Sequence, residues 1–216
     1  MSVRNKKYFI GILIKSVTLI VLLGFAYTWG TFVPNKHALE DFNKLKEHDF
    51  SERFQSFATE PSFEFADNQT FIQAVYRCID YVNFTTDIEY RVPAAIIASM
   101  AIIESAYGTS RFAEEGNALF GVRTWDLDNV PHLKPMAIPN AKFGVKKYKT
   151  KCQSVKDMVR IINNHPAYEE FRIEREKQSE IGYWDYKKLV DGLASWSIND
   201  QYTDMILQTI ESNNLR

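Results

Sequence analysis

A single acidic residue ends the most apolar helical segment that follows the N-terminal region of this sequence. Glu104 comes directly after the run from Pro93 to Ile103, in which no side chain is charged. A helix of this composition is apolar on every face and is therefore buried. Glutamate is rarely buried without a partner, and desolvation and the helix dipole both disfavour a carboxylate at a helix C-terminus. We therefore predict that Glu104 has a raised pKa and acts as a general acid, which donates a proton to a leaving group.

The residues that follow Glu104 form a long motif. The sequence reads ESAYGTS from Glu104 to Ser110 and GNALFG from Gly116 to Gly121. This combination resembles the bacterial peptidoglycan glucosaminidases of glycoside hydrolase family 73, and within that family the Bax-like proteins. The resemblance extends from Phe71 to the C-terminus. It implies an endo-beta-N-acetylglucosaminidase that cleaves peptidoglycan glycan strands, with Glu104 as the proton donor.

Glycosidic cleavage also needs a group that stabilises or traps the positive charge on the sugar. Family members often carry a second acid in a small β-lobe, but the corresponding window from Lys134 to Lys142 contains no Asp or Glu. The nearest candidates are Asp126 and Asp128. Without a protein carboxylate, the acetamido oxygen of the sugar can act as the nucleophile. A lytic transglycosylase and a non-catalytic cell-wall-binding protein also stay open as alternatives.

The resemblance further implies a set of substrate-binding residues, because aromatic side chains stack on sugar rings. The residues at the corresponding family positions are Tyr107, Asn117, Phe120, Tyr148 and Trp196, and Trp125 is added because it lies at the start of the β-lobe. Trp196 stands where the family pattern has a tyrosine, and an indole has no phenolic proton to share. Tyr202 matches a later tyrosine of the same segment and is therefore a candidate catalytic residue.

Composition and charge argue against several other classes of function. The chain has 26 basic and 27 acidic residues and a formal net charge of -1, which does not favour nucleic acid as a partner. The histidines and cysteines lack the spacing of metal ligands, and no Gly-rich phosphate loop is present. We therefore expect no metal and no cofactor, while the oligomeric state stays unknown.

An apolar stretch near the N-terminus indicates a transmembrane helix. Residues 8–33 contain one charged side chain, Lys15, and at about 1.5 Å per residue they can cross a hydrocarbon core of about 30 Å. Basic residues precede the stretch, so the positive-inside rule assigns residues 1–7 to the cytoplasm. We predict an uncleaved, single-pass signal anchor in the bacterial inner membrane with a periplasmic catalytic domain, rather than a cleaved signal peptide.

The rest of the chain is interpreted as a stalk, residues 34–68, followed by a catalytic domain, residues 69–216. Apolar residues recur at helical spacing through most of this domain. Only the stretch from Leu119 to Tyr148, which has three prolines and β-prone ends, lacks that period. The predicted fold is mainly α, a lysozyme-like helical domain with a small β-lobe, and the glycan strand is expected in the cleft between them.

Local signals predict the ends of individual helices. Pro93 suits the first turn of the acid-bearing helix, and Gly108 suits the position after its end. Asn68 is the predicted cap of the first helix of the domain, and Ser154 with Asp157 forms a predicted capping box.

The two cysteines, Cys78 and Cys152, are the remaining reactive side chains of interest. Export permits a disulfide. Two small buried hydrophobic residues would show the same pattern, so the sequence leaves their pairing open.

Overall fold

The computed structural model of the chain describes residues 3–32, 40–42, 44–46 and 58–215. The chain forms two units, Met1–Phe54 and Gln55–Arg216. Residues 34–39, 43 and 47–57 of the predicted stalk lie outside the described residues.

In the first unit, helix α1 spans Val3–Phe32. Its segment Gly11–Gly30 has a mean hydropathy of 1.9, and its large apolar side chains are exposed. A helix of this length and composition can cross a membrane, and a signal sequence has the same properties. The predicted apolar N-terminal helix is therefore present, and its role as an uncleaved anchor stays a prediction.

The second unit is mainly helical, as predicted. Its helices are α2 (Asn68–Phe84), α3 (Ala94–Ser105), α4 (Arg111–Gly116), α5 (Lys151–Asn164), α6 (Glu169–Ile181), α7 (Tyr186–Asp191) and α8 (Tyr202–Ser212). Helix α3 packs against α2 and α8, and α2 also packs against α5. Because α3 is apolar all round, neighbours on several sides bury it, and this helix forms the centre of the core.

Three short strands form the predicted β-lobe between Leu119 and Tyr148. Strands β1 (Arg123–Thr124), β2 (His132–Leu133) and β3 (Gly144–Lys146) make an antiparallel sheet in the order β1-β3-β2. Arg123 and Leu133 both pair with Val145 of the central strand.

The cap of helix α2 differs from the predicted one. Asp67, one residue before the predicted cap, accepts a hydrogen bond from the backbone N–H of Thr70 at 2.7 Å. The Thr70 hydroxyl in turn accepts one from the Asp67 N–H at 3.0 Å. This reciprocal capping box makes Asn68 the first helical residue instead of the cap.

The predicted capping box at Ser154 and Asp157 is wrong. Helix α5 begins earlier, after Thr150, whose hydroxyl accepts a hydrogen bond from the Gln153 N–H. Ser154 therefore lies inside the helix, where its hydroxyl donates to the Lys151 carbonyl. The Asp157 carboxylate is consequently available for contacts with the β-lobe.

Helix α3 ends at Ser105, one residue after Glu104, and a constrained turn follows. The three residues after Ser105 all have left-handed backbones, with φ of 49°, 55° and 79° at Ala106, Tyr107 and Gly108. A Cβ at Gly108 would lie 2.7 Å from the Phe71 ring, so this position also lacks space for a side chain. The buried Ser105 hydroxyl holds the turn, because it accepts a hydrogen bond from the Gly108 N–H at 2.8 Å. Left-handed geometry costs a non-glycine residue roughly 1–2 kcal/mol, so the turn depends on the surrounding packing.

Cys78 on α2 and Cys152 on α5 form a disulfide bond. Their Cα atoms are 4.9 Å apart, and both residues are buried in the core. The bond joins residues separated by 74 positions in sequence. The two cysteines are therefore paired, a point that the sequence left open.

We predict that loss of this disulfide destabilises the protein, because a cross-link that closes a long loop restricts the unfolded chain. The expected loss for the Cys78→Ala/Cys152→Ala variant is about 4 kcal/mol. Urea denaturation of the full chain in detergent measures it as a lower midpoint. Reductant should move the wild-type midpoint to that of the variant and leave the variant unchanged. A wild-type midpoint that reductant does not move would contradict the prediction.

Candidate active site

A cavity of about 550 Å³ contains the end of α3, part of the β-lobe, one face of α5 and the segment after α7. Its lining residues are Glu104, Phe120, Gly121, Val122, Arg123, Trp125, Lys146, Arg160, Ile161, His165, Tyr168, Ser195, Trp196, Ser197 and Ile198. Helical and β-lobe residues therefore share one cavity, which corresponds to the predicted cleft.

Glu104 is the only carboxylate among the described residues that line this cavity. Its Oε1 accepts a hydrogen bond from the Trp196 indole N–H at 3.0 Å. Burial raises the pKa of Glu104 above its ordinary value, while the nearby Tyr202 hydroxyl and the Trp196 indole act in the opposite direction. The net effect favours the protonated carboxyl that a general acid needs.

The side chain of Tyr202 is buried beside the same carboxyl. The residue is 3% exposed, and its hydroxyl lacks a hydrogen-bond partner of suitable geometry among the described residues. Burial, and then the charge of Glu104, raises the pKa of Tyr202. The hydroxyl therefore stays protonated, and it lies close enough to Glu104 to lower the pKa of that carboxyl.

Gly121 leaves room beside the Glu104 carboxyl. Its backbone is left-handed, with φ of 58°, a conformation that favours glycine. A Cβ at this position would lie 4.0 Å from Glu104 Oε2. The turn from the Phe120 wall of the cavity to strand β1 thus passes close to the acid.

Three of the predicted aromatic residues line the cavity. Phe120 is buried, whereas Trp125 is 68% exposed, with its ring centroid 6.3 Å from that of Phe143. Trp196 contacts Glu104 directly. An exposed indole in the wall of this cavity offers a flat apolar surface of the kind on which a sugar ring can stack. The structure therefore brings Phe120, Trp125 and Trp196 together with Glu104.

Tyr107, a predicted substrate-binding residue, is not among the residues that line the cavity. Its hydroxyl donates to Asn213 Oδ1 at 3.1 Å, and its ring packs edge-on against Phe71. The left-handed turn after α3 carries this side chain toward α2. Tyr107 therefore stabilises the turn behind Glu104.

Asn117 and Tyr148 also lie outside the cavity lining. Asn117 has a left-handed backbone, and its side-chain amide donates to the carbonyls of Tyr148 and Lys149. The Tyr148 hydroxyl donates to Asp157 Oδ2 at 2.8 Å. Both residues fasten the β-lobe to the helices that carry the site.

The two candidates for the second acid lie in the turn after β1. Asp126 accepts hydrogen bonds from the backbone and side-chain amides of Asn129 at 3.1 and 3.0 Å. Asp126 and Asp128 are both exposed, and neither lines the cavity. The bonds to Asn129 are those of an ordinary turn-forming aspartate.

The cavity also contains three arginine and lysine side chains that the sequence did not identify as site residues, Arg123, Lys146 and Arg160. Lys146 and Arg160 both bind Asp157, at 3.0 and 2.6 Å. Burial by itself would raise the pKa of Asp157, but hydrogen bonds from Arg160, Lys146 and Tyr148 outweigh it and lower the pKa. The spacing of Asp157 and Arg160 on one helix was visible in the sequence, but their pairing with Lys146 depends on the fold.

Comparison with known proteins places the chain in a family. Residues 85–215 match the glucosaminidase family, whose description is mannosyl-glycoprotein endo-beta-N-acetylglucosaminidase. Over 84 residues, the chain is 32% identical to protein bax of Escherichia coli strain K12. This alignment covers 39% of the chain and 28% of that protein, so the match spans less than a third of the curated relative.

Two solved structures have a similar fold. The catalytic domain of the autolysin Auto from Listeria monocytogenes aligns with a TM-score of 0.51 and 18% identity, over 78% of this chain and 94% of that one. A peptidoglycan hydrolase from Sphingomonas sp. A1 aligns with a TM-score of 0.51 and 19% identity, over 68% of this chain and 90% of that one. At 18% and 19% sequence identity, these alignments show a shared fold and nothing more. Because the family match covers more than half of the sequence, the chain belongs to the glucosaminidase family of glycoside hydrolases, family 73, and is similar to its Bax-like members.

Proposed function

We propose that this protein is a peptidoglycan hydrolase that cleaves the glycan strand as an endo-beta-N-acetylglucosaminidase. The observation that carries the proposal is the Glu104 carboxyl in the wall of a cavity with aromatic surfaces. Burial raises the pKa of this carboxyl. Family membership supports the reaction class. The fold that the chain shares with a peptidoglycan hydrolase from Sphingomonas sp. A1 is consistent with the substrate.

In the proposed reaction, Glu104 donates its proton to the glycosidic oxygen as the bond to the N-acetylglucosamine C1 breaks. The acetamido oxygen of the same sugar attacks C1 and forms a cyclic intermediate. Water then attacks C1 and breaks its bond to the acetamido oxygen while it passes a proton to the Glu104 carboxylate, which restores the acid. We favour this substrate-assisted route because Glu104 is the only carboxylate among the described lining residues. The hydrogen bond from Trp196 orients the carboxyl for both proton transfers.

A lytic transglycosylase remains the second candidate, because a single acid also suffices for that reaction. In it, the 6-hydroxyl of the muramic sugar would attack its own C1 and leave a 1,6-anhydro end. The two reactions cut different bonds and therefore differ in their products. The hydrolase releases N-acetylglucosamine reducing ends, whereas the transglycosylase releases anhydromuramic ends.

The proposed location is the periplasmic face of the bacterial inner membrane, with residues 8–33 as the anchor. Helix α1 supports this part of the proposal by its length and composition. Peptidoglycan lies outside the cytoplasm, so a cell-wall hydrolase has to be exported. The disulfide between Cys78 and Cys152 agrees with an oxidising compartment.

We predict that Glu104→Gln lowers the release of reducing ends from purified sacculi by about 10³-fold, because general acid catalysis contributes about 10²–10⁴-fold. Glutamine keeps the shape and the acceptor for Trp196, but its amide N–H groups are too weakly acidic to protonate the leaving oxygen. Mass spectrometry of the digest identifies the new chain ends and separates the two candidate reactions.

Glu180→Gln, an exposed position on α6, is the matched control and should retain activity. Circular dichroism should show that the Glu104→Gln protein is folded. Undiminished activity of that variant would refute the role of Glu104. If the wild-type protein binds sacculi but releases no fragments at any pH, the protein is instead a non-catalytic cell-wall-binding protein.

We predict that Trp196→Phe moves the alkaline limb of the kcat/KM pH profile to higher pH. The reactive form of Glu104 is protonated, so activity is present below its pKa and is lost as the pH rises through it. Removing the indole N–H removes a donor that stabilises the carboxylate, and the pKa of Glu104 should therefore rise further. Trp184→Phe, at a position outside the cavity lining, is the control. A limb that stays in place, or moves to lower pH, would count against this role of Trp196.

We predict that the Asp126→Asn/Asp128→Asn variant retains most of its hydrolytic activity, because neither aspartate lines the cavity. Initial rates on sacculi provide the measurement, with Glu104→Gln as the inactive reference. A loss of about 10²-fold or more would instead identify one of them as the second catalytic acid.

A further inference from the structure

Two of the cations in the cavity are held by a single carboxylate. Asp157 Oδ1 accepts hydrogen bonds from Arg160 Nε and Nη2 at 2.9 and 2.6 Å, and Asp157 Oδ2 accepts one from Lys146 Nζ at 3.0 Å. The Asp157 side chain is only 14% exposed, whereas that of Arg160 is 58% exposed. One carboxylate thus orients two cations but neutralises only one of them. The cluster keeps an excess of one positive charge.

The hydrogen bonds to Asp157 do not use all the donors of these cations. A lysine ammonium has three donors and an arginine guanidinium five. Lys146 gives one of its donors to Asp157, and Arg160 bonds it through two of its nitrogens. The remaining donors belong to side chains that line the cavity. Asp157 orients both side chains, and their remaining N–H groups can donate to an oxygen of a ligand.

Arg123 adds a third cation to the same cavity. Its guanidinium lies over the Phe143 ring, 4.6 Å from the ring centroid, and makes no ion pair with any residue in the described part of the chain. Because the whole chain has a net charge of -1, the positive charge of this cavity is a local feature. The cavity around Glu104 therefore suits an anionic ligand better than a neutral one.

We propose that Arg123, Lys146 and Arg160 select glycan strands that carry carboxylates over neutral strands. This inference rests on the proposed function and specifies its substrate class. Every second sugar of peptidoglycan carries a lactyl ether that ends in a carboxylate, or in a peptide with carboxylates of its own. Chitin oligosaccharides have the same acetamido sugars without these charges. A guanidinium binds a carboxylate through two parallel hydrogen bonds, so Arg123 and Arg160 are the principal specificity residues.

The test compares three substrates of equal length with the full chain in detergent: denuded glycan strands with free lactyl groups, peptide-bearing strands, and neutral chitin oligosaccharides. The readout is the ratio of kcat/KM between each anionic substrate and the neutral one. Arg160→Gln and Arg123→Gln should each lower this ratio about tenfold, the value of one charge-assisted hydrogen bond. High salt should lower the wild-type ratio in the same direction. Arg77→Gln, at an exposed position of α2 outside the cavity, is the matched control and should leave the ratio unchanged.

The outcomes separate the two sources of the carboxylate. A ratio that falls only for denuded strands identifies the lactyl carboxylate as the ligand, and one that falls only for peptide-bearing strands identifies the peptide. Equal losses on charged and neutral substrates, or no loss in either variant, would overturn the selection of charged strands. If no substrate is cleaved, the proposed function fails. Dissociation constants of the same oligosaccharides for Glu104→Gln protein and for its Arg160→Gln derivative then test the charge preference by itself.

Discussion

The burial of one carboxyl at the end of an apolar helix is the constraint around which the rest of this unit is arranged. Helix α3 has no polar face, so α2 and α8 must cover it. Glu104 lies at the C-terminal end of this buried helix. The left-handed turn after Ser105 then redirects the chain within three residues. Burial raises the pKa of the acid at this point, while Trp196 and Tyr202, from a distant part of the sequence, limit that rise. The packing that buries helix α3 therefore also raises the pKa of the carboxyl at its end.

The Asp157 carboxylate, which binds two of the cations that line the cavity, behaves in the opposite way. Hydrogen bonds from Arg160, Lys146 and Tyr148 outweigh its burial, so its pKa is lowered and it stays ionised. It joins α5 to the β-lobe and fixes two cations beside the acid. A protonated carboxyl and a cationic cluster can divide the work on a charged glycan, one acting on the glycosidic bond and the other on the substituents. Under the proposed function, this division would let a single acid cleave the strand while the cations bind its charged substituents.

The apolar run placed Glu104 correctly at the end of a helix, but the resemblance to a family was less informative about the residues around it. Phe120, Trp125 and Trp196 line the cavity, whereas Tyr107, Asn117 and Tyr148 fasten the turn and the β-lobe. A motif records that a residue is needed near a site. It does not separate contact with substrate from support of the backbone, because both depend on side-chain directions set by turns and packing.

By itself, the sequence determined the apolar helix that ends in Glu104, the mainly helical fold with a small β-lobe, and the apolar N-terminal helix. These features follow from hydrophobic periodicity and local composition, which act over a few neighbouring residues. Only the tertiary structure decided the pairing of Cys78 with Cys152, the contact of Trp196 with Glu104 and the cations gathered around Asp157. Each of these joins segments far apart in the chain, and their distances are fixed by how the helices pack against one another. No local signal carries that information.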